Sequence, residues 1–249
     1  MNETDKNLLA SYQALADFKH DFRDNHLFAI IRKYVRGRNI LDIGCGSGFF
    51  LSSLAATDLS LFGLEKNPDL VALARKANPG MPIFDSVAEN LHTVVDKKMD
   101  TITMLDVLEH LQDDDLIIKQ VYNQLLEAGR LIIVVPAYRF LYGKRDRTLG
   151  HYRRYLKKDL VNLLKKNGFK IHLIRHWNML GFLPYLVLEK VFKQSFNLRL
   201  RFGQKQKFIQ RRLWQLINFW LSQVENNLDF KFGLSLICVA DKINNQDDK

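Results

Sequence analysis

The stretch Ile40-Leu41-Asp42-Ile43-Gly44-Cys45-Gly46-Ser47-Gly48 constrains this chain more than any other. An apolar strand-like run ends in three glycines at alternate positions, and a second apolar run starts at Phe49. The pattern predicts a buried strand, a tight turn and a helix. Glycine removes the Cβ where backbone must approach a ligand closely. Free N–H groups at the helix start can then face a nucleotide-like ligand. The spacing is G-x-G-x-G, not the G-x-G-x-x-G of dinucleotide-binding turns. Asp42, two residues before the first glycine, suits a cationic ligand better than a pyrophosphate.

Downstream, strand-like and helix-like segments alternate. Strands are expected at 39–43, 61–65, 82–85, 101–105, 131–135, 169–175 and 234–240, with helices between them to about Ala56, from Asn67-Pro68-Asp69, over about Asp113–Leu126 and over 157–167. Such alternation predicts a doubly wound α/β sheet, mostly parallel with an antiparallel last strand. At 249 residues the chain fits one domain. Within it, 1–37 reads as an N-terminal helical segment, with Leu8, Leu9, Tyr12, Leu15 and Ala16 on one stripe. Residues 38–136 form the ligand-binding core, 137–177 an acceptor-side loop, helix and strand, 178–230 a helical insert and 231–241 the last strand.

Leu41 to Gly48 resembles motif I of the class I S-adenosylmethionine (SAM) methyltransferases, and three later segments extend the likeness in order. Glu65 stands at a strand end about twenty residues beyond the turn, where the family's acid binds both ribose hydroxyls. Asp85-Ser86 falls where the family contacts adenine, although Val87 and His92 depart from its usual aspartate and proline. Leu105-Asp106-Val107-Leu108-Glu109-His110-Leu111 is similar to the family's D-V-L-E-H segment. The resemblance implies a Rossmann-like seven-stranded fold and SAM as cofactor. The implied cofactor contacts are Asp42, Gly44, Cys45, Gly46, Gly48, Glu65, Lys66, Asp85, Ser86, Leu105 and Asp106.

SAM brings an already activated methyl group, so such an enzyme aligns the nucleophile, excludes water and removes a proton where the acceptor needs it. Two clusters qualify as the acceptor side. Asp106, Glu109 and His110 form the first, with His110 a base candidate whose ordinary pKa lies near neutrality. Asp106, Glu109 and His110 also resemble an acid-x-x-Glu-His pattern that some quinone-pathway O-methyltransferases use for a divalent cation; no metal ligands are assigned here, and a structural role for Glu109 and His110 stays open. The second cluster is the polar loop from Tyr138, whose Gly150-His151-Tyr152-Arg153-Arg154-Tyr155 resembles a G-H-Y-R-R-Y signature of a bacterial subset. Here His151 and Tyr152 are catalytic candidates, and Tyr142, Arg147, His151, Arg153, Arg154 and Tyr155 candidate contacts to an anionic acceptor. Arginines that pair with Asp106, Glu109 or Asp146 to fix the loop are the alternative.

Charge is uneven. Residues 1–136 hold 14 Lys and Arg against 19 Asp and Glu (−5), and residues 137–249 hold 23 against 8 (+15). The basic half calls for an anionic partner. In the insert, Ile209, Leu213, Leu216, Ile217, Trp220, Leu221, Val224 and Leu228 make a helical stripe, with Lys205, Lys207, Arg211 and Arg212 near its start. A lid, a dimer interface and a helix lying on an anionic membrane all fit that stripe.

The expected acceptor is a small or lipid-linked molecule methylated on oxygen or nitrogen. An RNA or protein methyltransferase and an inactive SAM-binding scaffold are the alternatives. Nucleic acid is disfavoured, because the base-amino subclass carries an Asn/Asp-Pro-Pro segment where this chain has Asp106-Val107-Leu108. Monomer and homodimer both remain open. Cys45 and Cys238 lie in apolar surroundings, no signal peptide opens the chain, and no apolar run reaches about 18 residues. The expected location is cytoplasmic, extending to the inner face of the membrane.

Overall fold

A computed structural model describes residues 22–55, 58–188 and 208–243. Seven strands form one sheet: β1 (Asn39–Ile43), β2 (Ser60–Glu65), β3 (Ile83–Asp85), β4 (Met99–Leu105), β5 (Leu125–Pro136), β6 (Phe169–Trp177) and β7 (Ser235–Lys242). Their order is β3-β2-β1-β4-β5-β7-β6, and β7 runs antiparallel to both neighbours. The fold is the doubly wound sheet expected from the sequence.

Period-2 alternation sends successive side chains to opposite faces. On β5, Leu131, Ile133 and Val135 join one core and Ile132 and Val134 the other. On β7, Leu236, Cys238 and Ala240 divide from Ile237 and Val239 in the same way. A sheet buried on both faces therefore reads as continuous apolar runs. Helices Asp114–Gln124 and Lys157–Lys166 cover the first face through Ile117, Ile118, Val121, Leu160 and Leu164. Helices Phe22–Ile31, Phe49–Leu54 and Pro68–Ala77 cover the second through Leu27, Ile31, Leu51, Leu54, Val71 and Ala74.

From β1 the chain winds outward to β2 and β3, then crosses back to β4 and β5. This reversal opens a crevice beyond the carboxyl ends of β1 and β4, where open α/β sheets bind ligands. The glycine turn sits there. Gly44, Gly46 and Gly48 have φ of 69°, 56° and 76°, in the left-handed region. A Cβ on Gly44 would lie 2.5 Å from Cγ2 of Val107, so the turn and the post-β4 loop are packed against each other.

Several boundaries differ from expectation. The helix expected to run to Leu126 ends at Gln124, and Leu125 already pairs with Met99 at the foot of β5. Ala128 takes φ 54° within that strand, where β4 and β5 shift register between Met99 and Thr101. β7 spans Ser235–Lys242, against 234–240 expected for the strand and 231–241 for its segment, and Phe230 makes an isolated antiparallel bridge with His176 ahead of it. The insert's expected stripe does not hold throughout: the helix closes in a π-helical turn, Trp220–Glu225, Leu228 lies beyond its end and is exposed, and Leu216 is exposed within the helix. The stripe from Leu8 to Ala16, and Lys205 and Lys207, lie outside the described residues.

Replacing Gly44 by alanine should cost about 2–4 kcal/mol, from the left-handed backbone and the contact with Val107 together. Thermal melting measures it; an unchanged Tm would show that the post-β4 loop does not press on the turn.

Candidate active site

The cofactor side is built by strand ends. Asp42 is 3% exposed, and in register with it across the sheet Thr103 donates its hydroxyl to Asp42 Oδ1 at 2.6 Å. Burial pushes the Asp42 carboxyl up to about 7, with the nearby Glu65 adding to the rise against the Thr103 bond. Glu65 ends β2 and is also buried. Its Oε2 accepts the Gly46 N–H at 3.0 Å and its Oε1 the Asn67 N–H at 2.9 Å. Burial raises this carboxyl as well, opposed by those backbone donors. Two donors leave lone pairs on a carboxylate that offers about four acceptor positions. Asp85 lies in register beside Glu65 and is exposed, and the Ser86 N–H is bound to the Glu65 carbonyl. Cys45 is buried, with its sulfur close beneath Gly63. Lys66 follows Glu65 and bears electrostatically on His110, which brings the post-β2 and post-β4 segments to one crevice.

The post-β4 segment supplies the first acceptor cluster. Leu105 closes the strand, and Asp106 takes φ 55° while its N–H reaches the Val134 carbonyl. Asp106 pairs with Arg23 at 2.9 Å, and that guanidinium lies 5.4 Å from the Trp177 ring centroid. Glu109 does not act as an exposed helix cap. It is 1% exposed, and neither carboxylate oxygen has a hydrogen-bonding partner in another residue. Burial first, and the Asp106 charge second, raise its carboxyl well above the usual range. Burial, followed by repulsion from His151 and Lys66, lowers His110 to about 4.

The 137–155 loop brings the second cluster onto the first. The rings of His110 and His151 meet edge to face with centroids 4.6 Å apart. The Tyr152 N–H donates to the Glu109 carbonyl at 2.8 Å, tying the two segments together. The organiser is Asp146, fully buried on the short helix Lys144–Leu149. Its Oδ1 meets His151 Nδ1 at 2.9 Å and accepts Arg154 Nε at 2.8 Å, and its Oδ2 accepts the Gly143 N–H at 2.9 Å. Burial alone would raise the Asp146 carboxyl, but the bonds from His151, Arg154 and Gly143 hold it down at about 2.

The remaining candidates divide. Arg154 is buried and bound to Asp146, the Ala137 carbonyl and the Tyr185 hydroxyl, so it fixes the loop. Tyr155 is buried, donating to Asp114 at 2.8 Å, and Arg153 pairs with the same carboxylate at 2.8 Å. Tyr152 is exposed, Tyr142 donates its hydroxyl to the His151 carbonyl at 2.8 Å, and Arg147 lies 6.0 Å over the Tyr142 ring. Tyr142, Tyr152, Arg153 and Arg139 line an open groove of about 560 Å³. The alternative in which a loop arginine pairs with Asp146 holds for Arg154, whereas the sequence reading missed the bond of Asp146 to His151 and the grouping of Glu109, His110 and His151, whose candidate ligand atoms all lie within 4.8 Å of one another.

A family model described as "Methyltransferase domain" matches residues 14–174. The chain is 24% identical over 172 residues to the mitochondrial ubiquinone biosynthesis O-methyltransferase of Schizosaccharomyces pombe, covering 62% of this chain and 60% of that protein. It is 28% identical over 155 residues to the ubiquinone biosynthesis O-methyltransferase of Glaesserella parasuis, covering 53% and 65%. The chain thus spans less than two thirds of the length of these curated relatives. In fold it is similar to a SAM-dependent methyltransferase from Archaeoglobus fulgidus (TM-score 0.60, 17% identity, 93% of this chain and 99% of that one). It is also similar to phosphoethanolamine N-methyltransferase 2 of Haemonchus contortus in complex with SAM (TM-score 0.54, 19% identity, 89% and 53%).

The Asp42 carboxyl generates a pH prediction. A carboxyl raised by folding contributes stability that is present below its unfolded pKa of about 4 and lost as pH rises through about 7. The cofactor-free Asp42→Asn variant should therefore gain in Tm relative to the native chain as pH rises from 4 to 8. A Tm difference independent of pH would show that Asp42 does not titrate in this window.

Proposed function

The chain belongs to the family of class I SAM-dependent methyltransferases, and from that membership we propose that it methylates a hydroxyl oxygen of a small, anionic, lipid-linked acceptor. Bound SAM supplies an electrophilic methyl on a sulfonium. The turn fits it: Gly44, Gly46 and Gly48 present backbone without Cβ, the Glu65 carboxylate can take the ribose hydroxyls, and Asp42 places a buried carboxyl beneath a cationic ligand. Cys45, Lys66, Asp85, Ser86, Leu105 and Asp106 complete the proposed cofactor contacts.

The observation that carries the acceptor reading is the meeting of His110 and His151 at the mouth of this crevice, with Asp146 gripping His151 Nδ1. In a neutral imidazole whose Nδ1–H points at a carboxylate, Nε2 keeps its lone pair. His151 is then placed to take a proton from an acceptor hydroxyl, with Tyr152 and Asp106 at the margins. Arg147 and Arg153, with Tyr142 and Tyr152, offer charge and ring faces to an anionic group. The names of the ubiquinone biosynthesis O-methyltransferases support an oxygen nucleophile and an apolar-tailed acceptor.

One observation favours a second reading of the same cluster. A buried carboxylate without partners is costly unless it is protonated or ligated. Glu109, His110 and His151 present oxygen and nitrogen donors suited to a divalent cation, which would neutralise Glu109 and polarise an acceptor oxygen.

His151→Ala should lower kcat by about 10²–10⁴-fold and leave the Kd for SAM unchanged. Equal kcat would remove His151 from the chemistry. Activity that falls on EDTA treatment and returns with one divalent metal would establish the second reading; activity indifferent to EDTA would eliminate it. Transfer of labelled methyl from SAM into fractionated host extract tests the acceptor. Label should enter the organic phase, whereas label in protein, RNA or water-soluble compounds would overturn the lipid-linked assignment, and SAM binding without transfer to any fraction would point to a scaffold.

A further inference from the structure

Two buried acids face one glycine turn. Asp42 from β1 is 3% exposed and Glu65 from β2 is 6% exposed. Among the described residues neither acid forms an ion pair. Glu65 accepts backbone donors on both oxygens, the Gly46 N–H on one and the Asn67 N–H on the other. Asp42 has the Thr103 hydroxyl as its side-chain donor, at 2.6 Å.

The other titratable groups facing the pair supply little countercharge. Cys45 faces both acids from the turn, and burial first, then Asp42 and Glu65, push its thiol up, so it stays neutral. Lys66, which follows Glu65, lowers that carboxyl, but less than the backbone donors of Asn67 and Gly46 do. Neighbouring carboxylates withdrawn from water resist a second negative charge. Glu65 has the better set of donors for an ionised form, so the proton settles on Asp42. Burial, with Glu65 adding to it against the Thr103 bond, pushes the Asp42 carboxyl up to about 7.

A proton held in this way is lost when a positive charge arrives at the turn. SAM carries two such charges in its methionine part, on the ammonium and on the sulfonium. The product of transfer, S-adenosylhomocysteine, is a thioether and keeps only the ammonium. We propose that Asp42 is the residue that distinguishes cofactor from product by charge, releasing its proton to solvent when SAM binds and retaining more of it when the product does. Only the carboxyl O–H bond breaks, and the carboxylate left behind faces the added positive charge. Once the sulfonium charge is gone, a proton returns to Asp42 and the hold on the product weakens, which favours its exchange for fresh cofactor. The inference rests on the cofactor contacts proposed above and is independent of the acceptor.

The test is isothermal titration calorimetry of the full chain at pH 7, in two buffers of different ionisation enthalpy, which counts the protons released on binding. The native chain should release about half a proton more with SAM than the Asp42→Asn variant does. It should also release more with SAM than with S-adenosylhomocysteine, a comparison that needs no variant. Between pH 6 and pH 7.5 the native Kd for SAM should tighten by about five- to tenfold, and that of Asp42→Asn should change by less than about twofold. Thr103→Val removes the hydroxyl that favours the ionised carboxyl, and should move the pH dependence of SAM binding upward. Equal proton counts for the native and Asp42→Asn chains, or for SAM and its product, would overturn the proposal. A chain that binds SAM at no pH would overturn the cofactor contacts themselves, and the proposal with them.

Discussion

The Glu65 carboxylate is the joint on which the cofactor side depends. It is buried at the end of β2 and accepts N–H groups from Gly46 in the turn after β1 and from Asn67 at the start of the next helix. A buried carboxylate is tolerated only where donors replace its water. Here the donors are backbone groups of a turn whose three glycines sit in left-handed conformations. This side chain thereby holds the turn to the end of β2 together with the Gly44 and Cys45 N–H groups, which bond to the Leu64 carbonyl. Asp42, on the neighbouring strand, places a second carboxyl under the same turn, and each acid raises the cost of ionising the other. A cationic ligand would relieve that cost, whereas a pyrophosphate would increase it.

The acceptor side solves a similar problem with a loop. Asp146 is the only anion in contact with Arg154 and His151 together among the described bonds, and all three are largely withdrawn from water. Removing one partner of such a network leaves the others buried and uncompensated. The loop is therefore held as a unit, and His151 is fixed against His110 by the same contacts that fix Arg154. The Tyr152 N–H bond to the Glu109 carbonyl closes the unit onto the post-β4 segment.

Much of the fold was legible in the sequence because strand burial on two faces leaves a local signature. Leu131 to Val135 is apolar throughout, and Gly44, Gly46 and Gly48 mark a turn whose geometry requires them. The strand ends carry the proposed cofactor contacts, so these inherit that legibility. The acceptor side does not. Asp146 stands among Lys144, Arg145 and Arg147, and the sequence offers it only as one of three acids that could pair with the loop arginines, with no sign that it also holds His151. Arg154 reads equally as a ligand for an anion and as a clamp on a nearby acid, and only the structure selects the second. Glu109 resembles a helix cap until the distant loop closes over it. Each of these roles is fixed by contacts between segments remote in sequence, which no local periodicity encodes. The π-helical turn at Trp220–Glu225 is a further case: an apolar stripe drawn at a constant 3.6-residue period continues to Leu228, but the helix closes at that turn and Leu228 lies beyond it, exposed.

The two sides differ in what they can change. Strand-end residues such as Asp42 and Glu65 are bound into the sheet by register and by backbone donors, so their positions follow from the fold itself. The acceptor loop is joined to the end of β5 by a bridge between Ala137 and Tyr155, and is held further by the Tyr152 N–H on the Glu109 carbonyl, by Tyr155 and Arg153 on Asp114, and by the side chains around Asp146. Tyr142 is tied to that network through its hydroxyl on the His151 carbonyl, whereas the exposed side chains of Tyr152 and Arg147 lie outside it. They can be replaced without disturbing Glu65 or Asp42, whereas Asp146 cannot be replaced without releasing His151. Under the proposed function, acceptor preference is thereby separated from cofactor binding: the sheet would fix where the methyl group is delivered, and the loop's outer residues would govern what is brought to it.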